Sequence, residues 1–284
     1  MAMVGFVYNA LISEAPSLIR SLIASLNLSS RSWVCPAENI SSKMEELEET
    51  TLIVVAGGDG TILRVIQAVA AHQVPIVAVN MGRVGFMSEL RVEEAAERLP
   101  MYLNGEMRVE RRMMLQATVS THAEQGYSYT AHALNDVVVG RGGVAKLLDI
   151  ATCVDDVPLT SYRADAVIVS TATGSTGYAL SAGSTILYPE AKMLVVQPVA
   201  AHTGLRDGLV LPEESVIKLS ILDEKPASFS VDGLDDYALV PESSVVVRRS
   251  PYEALFLRAR PAKDFYSELT HRLGLVYNLT HPGA

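Results

Sequence analysis

The hydrophobic rhythm of this sequence changes once, near Asn104-Gly105, and that change limits what the chain can fold into. Before it, short unbroken apolar runs alternate with helical stripes. The runs are Val4 to Tyr8, Trp33 to Cys35, Leu52 to Ala56 and Pro75 to Val79. The clearest stripes are Leu18, Ile19, Leu22, Ile23 and Leu26, and then Ile62, Val65, Ile66 and Val69 within Thr61 to His72. Arg91 to Leu99 reads as a further helix, and the charged Lys43 to Glu49 as a surface turn of helix. Unbroken apolar strands are buried on both faces, and strand-then-helix order gives a parallel sheet covered by helices. After Gly105 the segments are short and strand-like: Met114 to Val119, Leu147 to Val154, Ala166 to Ser170, Val216 to Ile221 and Val245 to Arg248. Turn residues such as Asp155-Asp156-Val157-Pro158 and Asp232-Gly233 separate them. The expectation is an α/β N-terminal domain over residues 1–105 with a Rossmann-like parallel sheet. An all-β C-terminal domain, a β-sandwich, should follow over residues 106–261. One helix, Ser175 to Ser184, interrupts the strands, and a tail helix, Asp264 to Leu273 within 262–284, is expected to pack back on the first domain.

Composition narrows the functions. Hydrophobic residues make up 49% of the 284 and charged residues 19%, enough for a large core and against long disorder. A net charge of −9 argues against general nucleic-acid binding, which uses a basic face. No apolar run approaches the roughly 18 residues of a membrane span, and Met1 to Asn9 lacks the pattern of a secretory signal. A cytoplasmic location with no membrane partner is expected. Cys35 and Cys153 have no ligand spacing and read as reduced thiols, and no cluster of protein metal ligands is apparent.

Chemistry concentrates in the turns. Gly57-Gly58-Asp59-Gly60-Thr61 lies between a buried strand and a helix, where open α/β sheets bind ligands. Glycines permit close approach, and the N–H groups opening the helix favour an anion. The run is not a Walker A loop, because no Lys-Ser or Lys-Thr follows. Asp59 has three readings: a base for an attacking hydroxyl, a ligand for Mg²⁺, or a cap that only closes the turn. Asn80-Met81-Gly82-Arg83-Val84-Gly85-Phe86 follows the next strand. Asn135-Asp136 pairs an amide with a carboxylate, which suits two ribose hydroxyls and also suits an ordinary turn. The longest motif is Arg163 to Ser181, a strand running into a Thr/Gly/Ser loop and a helix. Its hydroxyls and N–H groups can hold phosphate or amide groups, and Tyr178 offers a ring for stacking.

The Gly-Gly-Asp-Gly-Thr run resembles the signature of a kinase superfamily that includes NAD kinases and the diacylglycerol and sphingosine kinases. Asn80 to Phe86 and Arg163 to Ser181 are similar to segments of the NAD kinase family, as are Ser230-Val231-Asp232-Gly233 and the tail Phe265 to Gly274. The resemblance covers nearly the whole chain. It implies phosphoryl transfer from ATP or a related donor to the adenosine 2′-hydroxyl of NAD, with Mg²⁺ as cofactor and a homodimer or homotetramer as assembly. It makes Asp59 the catalytic base, lines the dinucleotide with Gly58 and Gly60, and puts Arg64 near ligand. Phe86 lies against the adenine end, Asn135 and Asp136 hold the ribose, and Lys146 falls near another ligand position. Asp165, supported by Arg163, meets the nicotinamide end, from a neighbouring subunit in one version. Thr173, Thr176, Gly177, Tyr178, Ala179, Leu180 and Ser181 line the dinucleotide. The departures are small residues exchanged for small ones at Ala164, Ala166, Ala172 and Gly177, and Leu234 where Gln is common. Two rivals stand beside this reading: a lipid kinase sharing the first motif, and a dinucleotide sensor without turnover.

Overall fold

The computed structural model describes residues 3–82, 85–105, 107–120, 128–143 and 147–274. Four strands open the chain: β1 (Met3–Tyr8), β2 (Ser32–Pro36), β3 (Thr50–Gly57) and β4 (Ile76–Asn80). They lie parallel in the order β2-β1-β3-β4. Helices α1 (Ala15–Ser25), α2 (Met44–Glu48), α3 (Asp59–Val69) and α4 (Val92–Leu103) connect and cover them. β3 shows why its run is unbroken. Leu52, Val54 and Ala56 pack with α1 and α4 on one face, and Ile53 and Val55 with α3 on the other. α4 runs on through Pro100 to Leu103 instead of stopping at Leu99, and the Asn104 N–H bonds to the Pro100 carbonyl to close that last turn. A two-residue strand, β5 (Leu90–Arg91), pairs with β4 just before it.

The strands of the second region are β6 (Arg108–Ser120), β7 (Ser128–Ala133), β8 (Asp136–Arg141), β9 (Leu148–Val154), β10 (Val157–Ala164) and β11 (Ala166–Thr171). After them come β12 (Met193–Val199), β13 (Leu209–Pro212), β14 (Ile217–Ile221), β15 (Ala227–Val231), β16 (Asp235–Leu239) and β17 (Ser244–Arg258). One sheet has the order β13-β12-β11-β8-β15-β16. Its inward residues, such as Val139, Val169 and Phe229, pack against Leu115, Ile150, Leu219 and Val247 of the other sheet, forming a sandwich core.

The second sheet of that sandwich is continuous with the parallel one. β17 pairs with β6 and β14, and its Phe256 also lies in register with Ile76 of β4. Eleven strands therefore form one sheet through both regions. The sequence hides this because Arg248-Arg249-Ser250-Pro251 interrupts the apolar pattern; the chain bulges there, between Arg249 and Glu253, and then resumes its pairing. The helix expected over Ser175 to Ser184 is shorter, a 3₁₀ turn over Gly174–Thr176 and then α5 (Tyr178–Ser181). Gly177 leaves helical geometry between them, and Gly183, at φ +91°, ends the second turn. The tail helix is α6 (Asp264–Arg272); its Phe265 meets Tyr188 edge to face at 5.5 Å. Among the described residues no helix is long and apolar enough to cross a membrane.

Candidate active site

Asp59 is the first residue of α3, and its carboxylate does not cap that helix. It reaches across to the loop after β4, where Oδ2 accepts the Phe86 N–H at 2.9 Å and Oδ1 the Met87 N–H at 3.4 Å. A local cap is therefore excluded, and lone pairs remain on both oxygens. Gly85 makes this possible, since a Cβ there would collide with the Asp59 carboxylate. The glycines of the loop itself divide the work. Gly57 is pressed against Thr61, whereas Gly58 and Gly60 face open space, with nothing within 4 Å of a Cβ built on either. None of the three has a positive φ, so left-handed geometry does not explain them.

The second cluster hangs on Asp232, a residue quoted from the sequence without a role. It sits in left-handed geometry, φ 53°, at the turn after β15. Its carboxylate accepts the N–H groups of Leu134, Asn135 and Asp136 at 2.8, 2.7 and 3.1 Å. Gln67 of α3 donates to the same carboxylate at 3.5 Å, so the helix that begins at Asp59 is tied to the residue that holds the Asn135-Asp136 turn. Burial, then the charge of Asp232, pushes Asp136 up to about 7. Burial pushes Asp232 up to about 6, against the pull of its three N–H donors.

The Thr/Gly/Ser loop packs directly on that turn. The Asn135 carbonyl accepts the Thr171 N–H at 2.9 Å, and Thr171 Oγ1 donates to the Leu134 carbonyl at 2.6 Å. Gly174 is in contact with the Asn135 backbone, and a Cβ on Gly177 would lie 3.8 Å from Asn135 Nδ2 and 3.9 Å from Asp136 Oδ2. Thr176 Oγ1 turns back to the Thr173 carbonyl, but Thr173 Oγ1 is buried without a partner. Tyr178 leaves its ring 46% exposed, as a stacking platform requires, and Ser181 is exposed beside it. Leu180 is half-buried, whereas Ala179 points wholly into the core.

Other expected residues stand apart. Arg64 is exposed on α3 beside Glu38 and Ser41, and it makes no ion pair among the described residues. Arg163 is exposed on β10, and Asp165 pairs with Arg141 at 3.2 Å at the β10–β11 corner. Among the described residues no hydrogen bond or ion pair joins either of them to the Asp59 loop. Lys146 lies outside the described residues.

Behind the Phe86–Met87 loop lies a buried ionic network that the sequence did not announce. Arg258, near the end of β17, donates from Nη1 to the carbonyls of Met87 and Ser88 at 3.1 and 3.3 Å, and pairs with Glu89 at 3.2 Å. Its Nη2 meets Glu110 at 3.1 Å, and Arg112 meets the same carboxylate at 2.7 Å. Burial works against the Glu110 charge, but Arg112 and Arg258 outweigh it and hold the carboxyl down at about 2.

This chain, a parallel sheet with a glycine-rich loop at the end of β3 joined to a β-sandwich, is matched by family models of phosphotransferases. The ATP-NAD kinase N-terminal domain matches residues 13–107, and the ATP-NAD kinase C-terminal domain matches residues 134–259. An NAD kinase of Dehalococcoides mccartyi (strain CBDB1) is 37% identical over 276 residues, 95% of each chain. One from Chloroflexus aggregans (strain MD-66 / DSM 9485) is 34% identical over 273 residues, 95% of this chain and 98% of that one. Among solved structures, yeast NADH kinase complexed with NADH superposes with a TM-score of 0.86 at 23% identity, over 98% of this chain and 90% of that one. An NAD kinase from Archaeoglobus fulgidus in complex with ATP gives 0.75 at 24%, over 97% and 100%. Those two agree on the fold. The chain belongs to the NAD kinase family, and the lipid-kinase alternative is set aside.

Proposed function

We propose that this chain transfers the γ-phosphoryl group of ATP to the 2′-hydroxyl of the adenosine ribose of NAD, giving NADP. The observation that carries the reading is the Asp59 carboxylate, held between α3 and the loop after β4 by two backbone N–H groups with lone pairs to spare. Asp59 takes the proton of the attacking hydroxyl. Asn135 and Asp136, fixed by Asp232, address the ribose. The unpaired Thr173 hydroxyl, the Thr176 and Gly177 segment and the exposed Tyr178 ring receive the rest of the dinucleotide. The open faces of Gly58 and Gly60, at the start of α3, accept phosphate oxygens.

Among the described residues no group of three or more His, Cys, Asp or Glu side chains could hold a metal ion. Asp59 could help to hold a Mg²⁺ carried by the donor phosphates and water, and the ion would neutralise charge on the transferring group. The same reading includes a cytoplasmic homodimer or homotetramer. Light scattering that returned a monomer at assay concentration would remove this part.

The test is NADP formation from NAD, ATP and Mg²⁺ by purified protein, with Asp59→Asn alongside. Asn keeps the shape and removes the base, so kcat should fall by roughly 10² or more. Near-normal turnover by the variant would end the assignment of Asp59. Saturable NAD binding by a wild type that makes no NADP would favour a sensor.

A further inference from the structure

α6 buries none of its residues fully, yet its last residue points inward. The Arg272 side chain is only 8% exposed. Among the described residues it alone has three buried polar atoms, Nε, Nη1 and Nη2, with no hydrogen-bond partner. Its nearest counter-charge, Glu268 Oε2, is 3.6 Å from Nη2 and is not a hydrogen bond. Glu268 instead bonds to Arg260 at 3.0 Å. The guanidinium carbon lies 4.0 Å from the centre of the Phe86 ring, and Phe86 is the residue whose N–H holds Asp59. Burial works against the Arg272 charge; Glu268 and then Asp59 work for it.

Stripping water from a guanidinium without replacing its hydrogen bonds is costly, and stacking on a ring recovers only part of that cost. A native fold that leaves such a group stacked on the residue that holds Asp59 implies a partner that arrives with the ligand. The planar fork of donors matches the oxygens of a phosphoryl group. It stacks on the residue whose N–H holds Asp59, and because its three nitrogens are buried it meets a phosphoryl group only when the ligand uncovers them.

We infer that Arg272 is a catalytic residue, an arginine supplied by the C-terminal helix to the phosphoryl group in transfer. The inference rests on the NAD-to-NADP reading above. In the step, a bond forms between the ribose 2′-oxygen and the γ-phosphorus, and the bond from that phosphorus to the β,γ-bridging oxygen breaks. The hydroxyl proton goes to Asp59 and ADP leaves with the bond electrons. Arg272 moves no proton; it donates hydrogen bonds to the non-bridging oxygens as their charge spreads. The 2′-phosphate of the product occupies the same place.

The experiment uses the full chain with Arg272→Ala and Arg272→Lys. Steady-state kinetics with NAD and ATP are paired with equilibrium binding of NAD and of NADP. For Arg272→Ala, kcat should fall by ~10² or more, with NAD affinity and thermal midpoint unchanged. NADP affinity should drop relative to NAD, because only NADP carries the 2′-phosphate, and Arg272→Lys should recover part of both losses. Unchanged kcat and an unchanged NADP-to-NAD ratio would overturn the inference. So would equal loss of NAD and NADP binding, which marks a structural role. If Arg272→Ala fails to fold, Arg272→Lys decides by the same ratio. If the wild type makes no NADP, the functional reading falls by itself, and the binding ratio still judges Arg272.

Discussion

At the scale of single residues, the site is set by what each group is denied. Gly85 is denied a side chain because the Asp59 carboxylate fills that space. Gly85→Ala should therefore fold but push the carboxylate from its two N–H donors, lowering kcat by about 10²-fold, the usual cost of an ångström of misplacement. Unchanged kinetics would mean that the loop yields instead. Asp136 and Asp232 are denied water, and that burial pushes their carboxyls up to about 7 and about 6. A raised folded-state pKa favours the folded state fully below the ordinary 3.8, and this contribution disappears as pH rises through about 7. Asp136→Asn should thus stabilise the ligand-free protein at pH 8 by ~1–3 kcal/mol, several degrees in Tm, with a smaller gain at pH 5. NAD affinity of the wild type should meanwhile improve as pH rises through about 7, since ionised Asp136 is the better acceptor for a ribose hydroxyl. Calorimetry and binding at the two pH values check both, and a Tm gain independent of pH would refute the first.

At the scale of elements, the motifs that could be read were those that keep chemistry local. A strand, a glycine run and a helix in succession announce an anion site from fifteen consecutive residues, Leu52 to Ile66. Asp232 and Arg258 could not be read this way. Asp232 serves residues nearly a hundred positions earlier, and Arg258 holds a loop on the far side of the sequence. The short helix after Gly177 departs from the pattern of its residues for a related reason. Its small residues suit a helix by propensity, but the close contacts of Gly174 with Asn135 fix a tighter turn. Arg258 shows how much such a residue carries. Its removal strands Glu89 and part of Glu110 as buried charge, so Arg258→Met should cost ~3–5 kcal/mol and loosen the loop that holds Asp59. Chemical denaturation and kcat together test this; loss of stability with full turnover would uncouple the network from the site. Glu110 makes the network acid-sensitive. Its carboxyl is lowered in the fold, so its contribution is complete above the ordinary 4.5 and fades as pH falls toward about 2.

At the scale of the whole molecule, the alternation of strand and helix and the later run of strands give both architectures correctly, and the sheet that joins them is what the sequence withholds. The shared strand makes a prediction of its own. Trp33, the single tryptophan, sits in β2 at one end of the eleven-stranded sheet, and β10 ends the other. If that sheet unfolds as a unit, denaturation followed by Trp33 fluorescence and by far-ultraviolet dichroism should coincide, as in a two-state transition. Separated midpoints would show that the sheet breaks at the β4–β17 junction. The same strand decides how pieces of this protein can be recombined with others. A chimera cut at Asn104-Gly105 would take β17 away with the second region and leave β4 facing a foreign edge. A graft that keeps Ser244–Arg258 with its original β4 neighbour carries along the arginine that steadies the Asp59 loop, so the seam for exchange lies inside the second region rather than where the hydrophobic rhythm changes.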